Sequence, residues 1–141
     1  MIYQATRRIA NEFTNRKLKF EVKETNSGSL VTLSCKGDNI KDLTVLFISR
    51  DDDPDVSIRA YELASFPADK RQKGIDLVNE LNQKFRYLKF VLDDDGDLNA
   101  QYDLPVRCDI SQVGELAMEM LSRYLNIIDE AYPQIMQAVW G

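Results

Sequence analysis

Histidine is missing from all 141 residues. Its absence removes the side chain best suited to moving protons near neutral pH, and with it every Ser-His and Cys-His nucleophile pair. Cysteine is scarce. Cys35 and Cys108 stand alone, too few for a disulfide scaffold and without partners for a metal centre. Cys35 sits in a strand-like run and reads as a small buried apolar residue. The six glycines fall mostly in turns and form neither GxGxxG nor GxxxxGK[ST], so no phosphate cradle is encoded. No apolar run approaches the roughly 20 residues needed to span a bilayer. Arg7 and Arg8 interrupt the N-terminal stretch where a secretory leader would be apolar. These absences predict a cytoplasmic protein that spans no membrane and holds no cofactor or metal.

The charge balance excludes a further class. Lys and Arg number 18 against 23 Asp and Glu, a net charge of −5. Nucleic-acid binding draws its affinity from clustered cations that release counterions, and this balance runs the other way. An acidic surface favours solubility and basic partners. With 44% apolar and 29% charged residues, the composition is that of an ordinary folded chain with one core, and we expect one domain over residues 1–141.

Spacing then orders the elements. Ile2, Ala5, Ile9 and Phe13 recur at helical steps and predict a helix over roughly residues 2–16. Leu18, Phe20 and Val22 alternate with charges, a strand with one wet face. After the turn 25–29, Val31, Leu33 and Cys35 alternate with Thr32 and Ser34. The two runs read as a β-hairpin. Residues 42–49, DLTVLFIS, are apolar on both pleat faces and predict a strand covered on both sides. From Val56 the apolar phase holds through Ile58 and Ala60, then slips to Tyr61 and Leu63, predicting a bulge near Ala60–Tyr61. Pro67 ends that strand, and Asp69 is the expected N-cap of a helix over 69–86 with Leu77, Leu81, Phe85, Val78 and Ile75 on its stripe. Residues 87–106 form the clearest hairpin, bent at Asp95-Gly96. Ser111 is the expected cap of a last helix, which Pro133 should kink or break near Tyr132.

Few side chains are arranged for chemistry. DDDGD (93–97) suggests a calcium loop, yet Gly96 falls at position 4 and Leu104 at position 12, against the Gly at 6 and Glu at 12 of an EF-hand. A solvated turn is the better reading, and DDDPD (51–55) is read the same way. Acid/base work would need a carboxylate in an apolar setting, and the acids here fall on turns and polar helix faces. No catalytic residue is therefore expected. The one polar constellation is Asn79, Asn82 and Arg86, in a line beside the apolar stripe of the second helix. It is either a polar rim on a binding groove or a set of side chains satisfying nearby backbone groups, the commoner fate. An apolar pocket lined by Phe47, Phe85, Phe90 and Tyr102, between helix and sheet, would suit a small ligand.

The last helix carries more apolar surface than a sheet alone would cover. Its apolar arc is about 200° on the helical wheel, where roughly 100° suffices for packing on one sheet. Another helix, Trp140 and the chain end, or a second copy of the chain must bury the excess.

The segment 74–106, with Asn79, Asn82, Arg86, Asp95, Gly96 and Leu98, resembles the YbjN-like family of bacterial sensory transduction regulators. A helix ending in an N-x-x-N-x-x-x-R-like stretch leads there into a strand, an acidic D-G turn and a second strand. The order of elements is also similar to the type III secretion chaperone fold. Members commonly have a Gly near the start of the first strand, where this chain has Asn15-Arg16-Lys17. The resemblance implies an α+β fold: an antiparallel sheet of about six strands packed with three helices, in the order α-β-β-β-β-α-β-β-α. It also implies a small acidic protein, often a homodimer, that holds a partner polypeptide and catalyses nothing. Fold alone does not carry a secretion role.

Overall fold

The two-residue periods close into one antiparallel sheet of six strands with the spatial order β1-β2-β3-β4-β6-β5. In a computed structural model, which describes residues 1–104 and 109–141, the strands are β1 (Glu21–Thr25), β2 (Gly28–Cys35), β3 (Leu43–Ser49), β4 (Ser57–Ser65), β5 (Lys89–Leu92) and β6 (Asp97–Asp103). Helix α1 (Gln4–Asn15) precedes them, α2 (Arg71–Lys84) joins β4 to β5, and α3 (Val113–Trp140) follows β6. This is the expected α+β class and element order. The readings placed on Pro105, Val106 and Cys108 lie outside the described residues.

Cross-strand register places Val31, Phe47, Ile58 and Tyr102 in one row, and the first three are completely buried. All three helices cover this face. From α1, Phe13 meets Phe47 edge-on with ring centroids 5.4 Å apart. From α3, the buried Tyr124 hydroxyl donates to the Ile58 carbonyl at 2.6 Å. Burial drives the ionisation of that phenol far upward, so it remains a donor. From α2 come Leu77 and Leu81, both buried. Helix α3 lies against both α1 and α2, and these two neighbours cover the surplus apolar arc within the chain.

The opposite face of the sheet corrects one expectation. β3 is covered on one side only: Leu43, Val45, Phe47 and Ser49 are buried, whereas Leu46 and Ile48 are half-buried and Thr44 is exposed. In the register Leu46 lies beside Thr32 and Ile48 beside Leu30 of β2, so Leu30, Leu46 and Ile48 make a small apolar strip on this face. The bulge falls where the phase slip predicts it, with the β4–β6 register shifting between Ala60 and Ala64. Glu62 takes a positive φ of 54° there, and its N–H donates to the Asn99 side-chain oxygen at 2.8 Å.

Several helix ends differ from the sequence reading. α2 starts at Arg71, not at Asp69, which belongs to a short 3-10 turn, Ala68–Lys70, and caps nothing. Ile75 on its stripe is 53% exposed, because the buried face is centred on Gly74, Leu77 and Leu81. Ser111 does not cap α3: it lies in a 3-10 turn, Ile110–Gln112, that runs into the helix and is itself capped by Asp109, which accepts the Ser111 N–H at 3.0 Å. The first hairpin turns at Asn26 and Ser27, so Gly28 lies in β2.

Pro133 neither breaks α3 nor ends it, and the helix runs unbroken from Val113 to Trp140. A proline cannot donate to the carbonyl four residues earlier, which here is that of Asp129. The Asn39 side-chain amide donates to that carbonyl instead, at 3.1 Å. The Asp129 carboxylate meanwhile accepts the backbone N–H groups of Asp38, Asn39 and Ile40 at 3.2, 2.7 and 2.9 Å. Gly37 sits so close to Asp129 that a Cβ would collide with the carboxylate. One residue thus binds the β2–β3 loop to the middle of α3.

These three donors hold the Asp129 carboxyl below its ordinary 3.8. A lowered folded value stabilises the fold above the unfolded pKa, and the benefit is lost as pH falls through the folded one. Asp129→Asn should therefore lower Tm at neutral pH, and its deficit should shrink as pH drops below 3.8. Thermal denaturation of both proteins across acid pH checks this; a constant deficit would refute it.

Candidate functional site: the groove beside Trp140

Beyond the bulge, β4 resumes pairing two residues out of its earlier register, with Ala64 opposite Leu98 and Ser65 opposite Asp97. The Ser65 hydroxyl donates to the Asp97 carboxylate at 2.6 Å. This end of β4 lies across a gap from the last turns of α3. The groove between them, of about 420 Å3, is lined by Ala64, Ser65, Pro67, Lys70, Met136, Val139 and Trp140. Trp140 stands 80% exposed at its edge. A large aromatic left in water beside an apolar hollow is the feature of this surface that packing within the chain does not explain.

Two lysines of the α2 region fix the groove's far wall. Lys70 Nζ donates to the Val139 carbonyl and Lys73 Nζ to the Gly141 carbonyl at 2.8 Å. The last carbonyls of a helix lack intrahelical donors and form its negative end, so two ammonium groups satisfy both needs. On the other side of the same turn lies a second cleft of about 420 Å3, whose lining includes Asp76, Glu80 and Gln134. Gln134 donates to Glu80 at 2.9 Å. The end of α3 thus separates an apolar hollow from a cleft bearing two acids beside the Lys73 ammonium.

The residues singled out from the sequence lie elsewhere. Asn82 brackets the backbone of Phe90 on β5: its amide donates to the Phe90 carbonyl at 3.0 Å and its oxygen accepts the Phe90 N–H at 2.8 Å. β5 is the outer strand at this end of the sheet, so Asn82 occupies backbone groups of an edge. Asn79 is exposed on α2. Arg86 is exposed too, but α2 ends at Lys84 and the backbone is extended at Phe85. Arg86 therefore leaves the helical line that spacing suggested.

The aromatic pocket expected from the sequence is filled. Phe47 and Phe90 are 0% and 1% exposed, and the four rings divide among separate contacts, Phe47 with Phe13, Phe85 with Phe90 and Tyr102 with Tyr87. The acidic turn does gather Asp93, Asp95 and Asp97, with one carboxylate oxygen of each within 4.8 Å of the others. Their bonding is already directed inward. Asp93 accepts the N–H groups of Asp95 and Asp97 and the Asn99 amide, and these donors pull its carboxyl below the usual range. The Asp97 oxygen serves Ser65. Gly96 closes the turn at a φ of +87°, as the Asp-Gly pair predicts. Arg71 staples that turn to α2 by donating to the Asp94 carbonyl at 3.1 Å and the Phe66 carbonyl at 3.2 Å. Asp93, Asp109 and Asp129 are all moved downward, away from a role as proton donor near neutrality.

The profile of YbjN, described as "Putative bacterial sensory transduction regulator", matches residues 6–137. The chain belongs to the YbjN family. The match spans nearly every element of the YbjN fold described above, from within α1 to the final turns of α3. Met136 falls inside it, whereas Val139 and Trp140 lie just beyond. A search of curated proteins finds no match. Among the described residues, no YbjN helix is long and apolar enough to cross a membrane.

The Trp140 groove was not legible in the sequence. Its two walls are far apart in the chain, and only the post-bulge register brings Ala64 and Ser65 under α3. The Asn82 bracket is directly testable. Asn82→Ala should cost about 1–2 kcal/mol, the loss of two hydrogen bonds one of which leaves a strand donor unmet, measured by urea denaturation. An unchanged midpoint would show that water replaces both bonds without penalty.

Proposed function

We propose that this protein is a regulator that works by holding a partner polypeptide, and that it performs no reaction. The family description supports the regulatory part. The exposed Trp140 beside an apolar groove is the observation that carries the binding part. The occupant best matched to this surface is a basic segment with one large apolar side chain. That side chain would enter the hollow beside Trp140, and a Lys or Arg next to it would face Asp76 and Glu80 in the adjoining cleft. The net charge of −5 favours the same partner and opposes nucleic acid. In this reading the chain is one cytoplasmic domain, and Asn79 and Arg86 remain exposed polar groups available to a partner.

Trp140 is the sole tryptophan, so its emission reports on the groove directly. An array of basic peptides, each with one Leu, Phe or Trp, should include sequences that shift this emission to the blue, while acidic counterparts should not. Met136→Asp should abolish the shift. Trp140→Ala, followed by calorimetry, should weaken the same peptides at least about tenfold, the usual cost of truncating an interface anchor. If no basic apolar peptide perturbs Trp140, the reading fails.

A further inference from the structure

The two edges of the sheet are treated differently. On β5, Asn82 occupies both the N–H and the C=O of Phe90. On β1, every residue from Glu21 to Thr25 is exposed, and Val22 is a large apolar residue left 41% exposed. β1 closes on β2 through a two-residue turn at the pair Thr25–Gly28. In such a hairpin the closing pair exchanges both hydrogen bonds, and inward pairing then alternates along the strand. Thr25, Lys23 and Glu21 therefore bond to β2, while Val22 and Glu24 aim their N–H and C=O groups away from the sheet. Among the described residues nothing is bonded to these outward groups.

We propose that β1 is a self-recognition edge, on which a second copy of this chain pairs antiparallel through a two-fold axis at Val22. The charge pattern selects the partner and the register. With the axis at Val22, Glu21 of each copy faces Lys23 of the other and the two Val22 side chains meet. An axis at Lys23 sets Lys23 against Lys23. One at Glu21 sets Glu21 against Glu21 and Lys23 against Lys19, and one at Glu24 sets Glu24 against Glu24. Opposed like charges destabilise such pairs, and opposed unlike charges stabilise them. Val22 is also a residue whose backbone faces outward, as a hydrogen-bonded central pair requires. Within one chain Glu21 and Lys23 already approach to 3.7 Å on the same side of the strand. Pairing turns this into an alternating cluster of four charges.

The product is a continuous sheet of two copies with all the helices on one side. Edge pairing of so short a strand buries less than the roughly 1,200 Å2 of a stable interface, so the dimer is weak and concentration-dependent. This surface is separate from the Trp140 groove, and loss of one need not disturb the other.

The test is sedimentation of the parent chain and of two surface variants, Glu21→Lys and Lys23→Glu, over a wide concentration range. The parent should dimerise. Each variant alone faces like charges at both central pairs and should dimerise at least about tenfold more weakly. Mixed one to one, the two variants should recover association as a heterodimer, because both flanking positions are then cationic in one copy and anionic in the other. Hydrogen exchange at the Val22 and Glu24 amides should slow as the parent concentration rises. A parent that stays monomeric, a dimer that neither reversal weakens, or a mixture that fails to associate would overturn the proposal. So would slower exchange at Val22 and Glu24 seen only when an unrelated extended peptide is added, which would make β1 a docking edge for other chains.

Discussion

Asp129 ties the β2–β3 loop to the helical layer that covers the sheet. Its carboxylate gathers three successive backbone N–H groups of the β2–β3 loop, and its own carbonyl is taken by Asn39. The second bond matters because Pro133 leaves that carbonyl without its helical donor. A loop side chain and a helix side chain thus each supply what the other element lacks. Without that exchange α3 would carry an unmet carbonyl in mid-helix, and the loop that sets β2 against β3 would lose its polar anchor on the helical layer.

The same interaction shows where sequence reasoning stops. The proline rule is local and sound and forecasts a kink or break; the helix is unbroken, and the carbonyl the proline orphans is met by a residue some 90 positions away. Strands and hairpins are legible because alternation is a property of neighbouring residues. The slip at Ala60–Tyr61 can be seen for the same reason, and it matches the observed register shift. Apolarity on both faces of β3 misleads, because a half-covered greasy strip and a fully covered strand have the same pattern. Of the polar constellation, Asn82 can be placed on the helix but not assigned its partner, since the Phe90 backbone comes within reach only after the chain turns back. Spacing sets Arg86 on a helix that ends at Lys84, where a phase argument has no further meaning.

Charge follows a comparable logic. The acids that cluster in the sequence, 93–97, are used to fold the turn, with Asp93 accepting from its own neighbours and from Asn99. Hydrogen bonds from neutral donors stabilise a carboxylate and lower its pKa, which is the reverse of what proton-transfer chemistry needs. A chain without histidine whose displaced carboxylates all move downward has invested its polar groups in shape. What it leaves outward is an aromatic at one end and a charged strand at the other.

The position of α3 also governs how the molecule can be built. Tyr124, Ile128 and Ile135 seal the middle of the core with no exposure at all, and they come from the last element of the fold. During synthesis the sheet is therefore complete in sequence while one face is covered only by α1 and α2, and its greasy centre stays open until α3 leaves the ribosome. Closing contacts between the first and last helices carries the largest loop entropy in the chain. That interval, before the final helix arrives, is when a nascent chain of this design is most exposed to sticking to its neighbours.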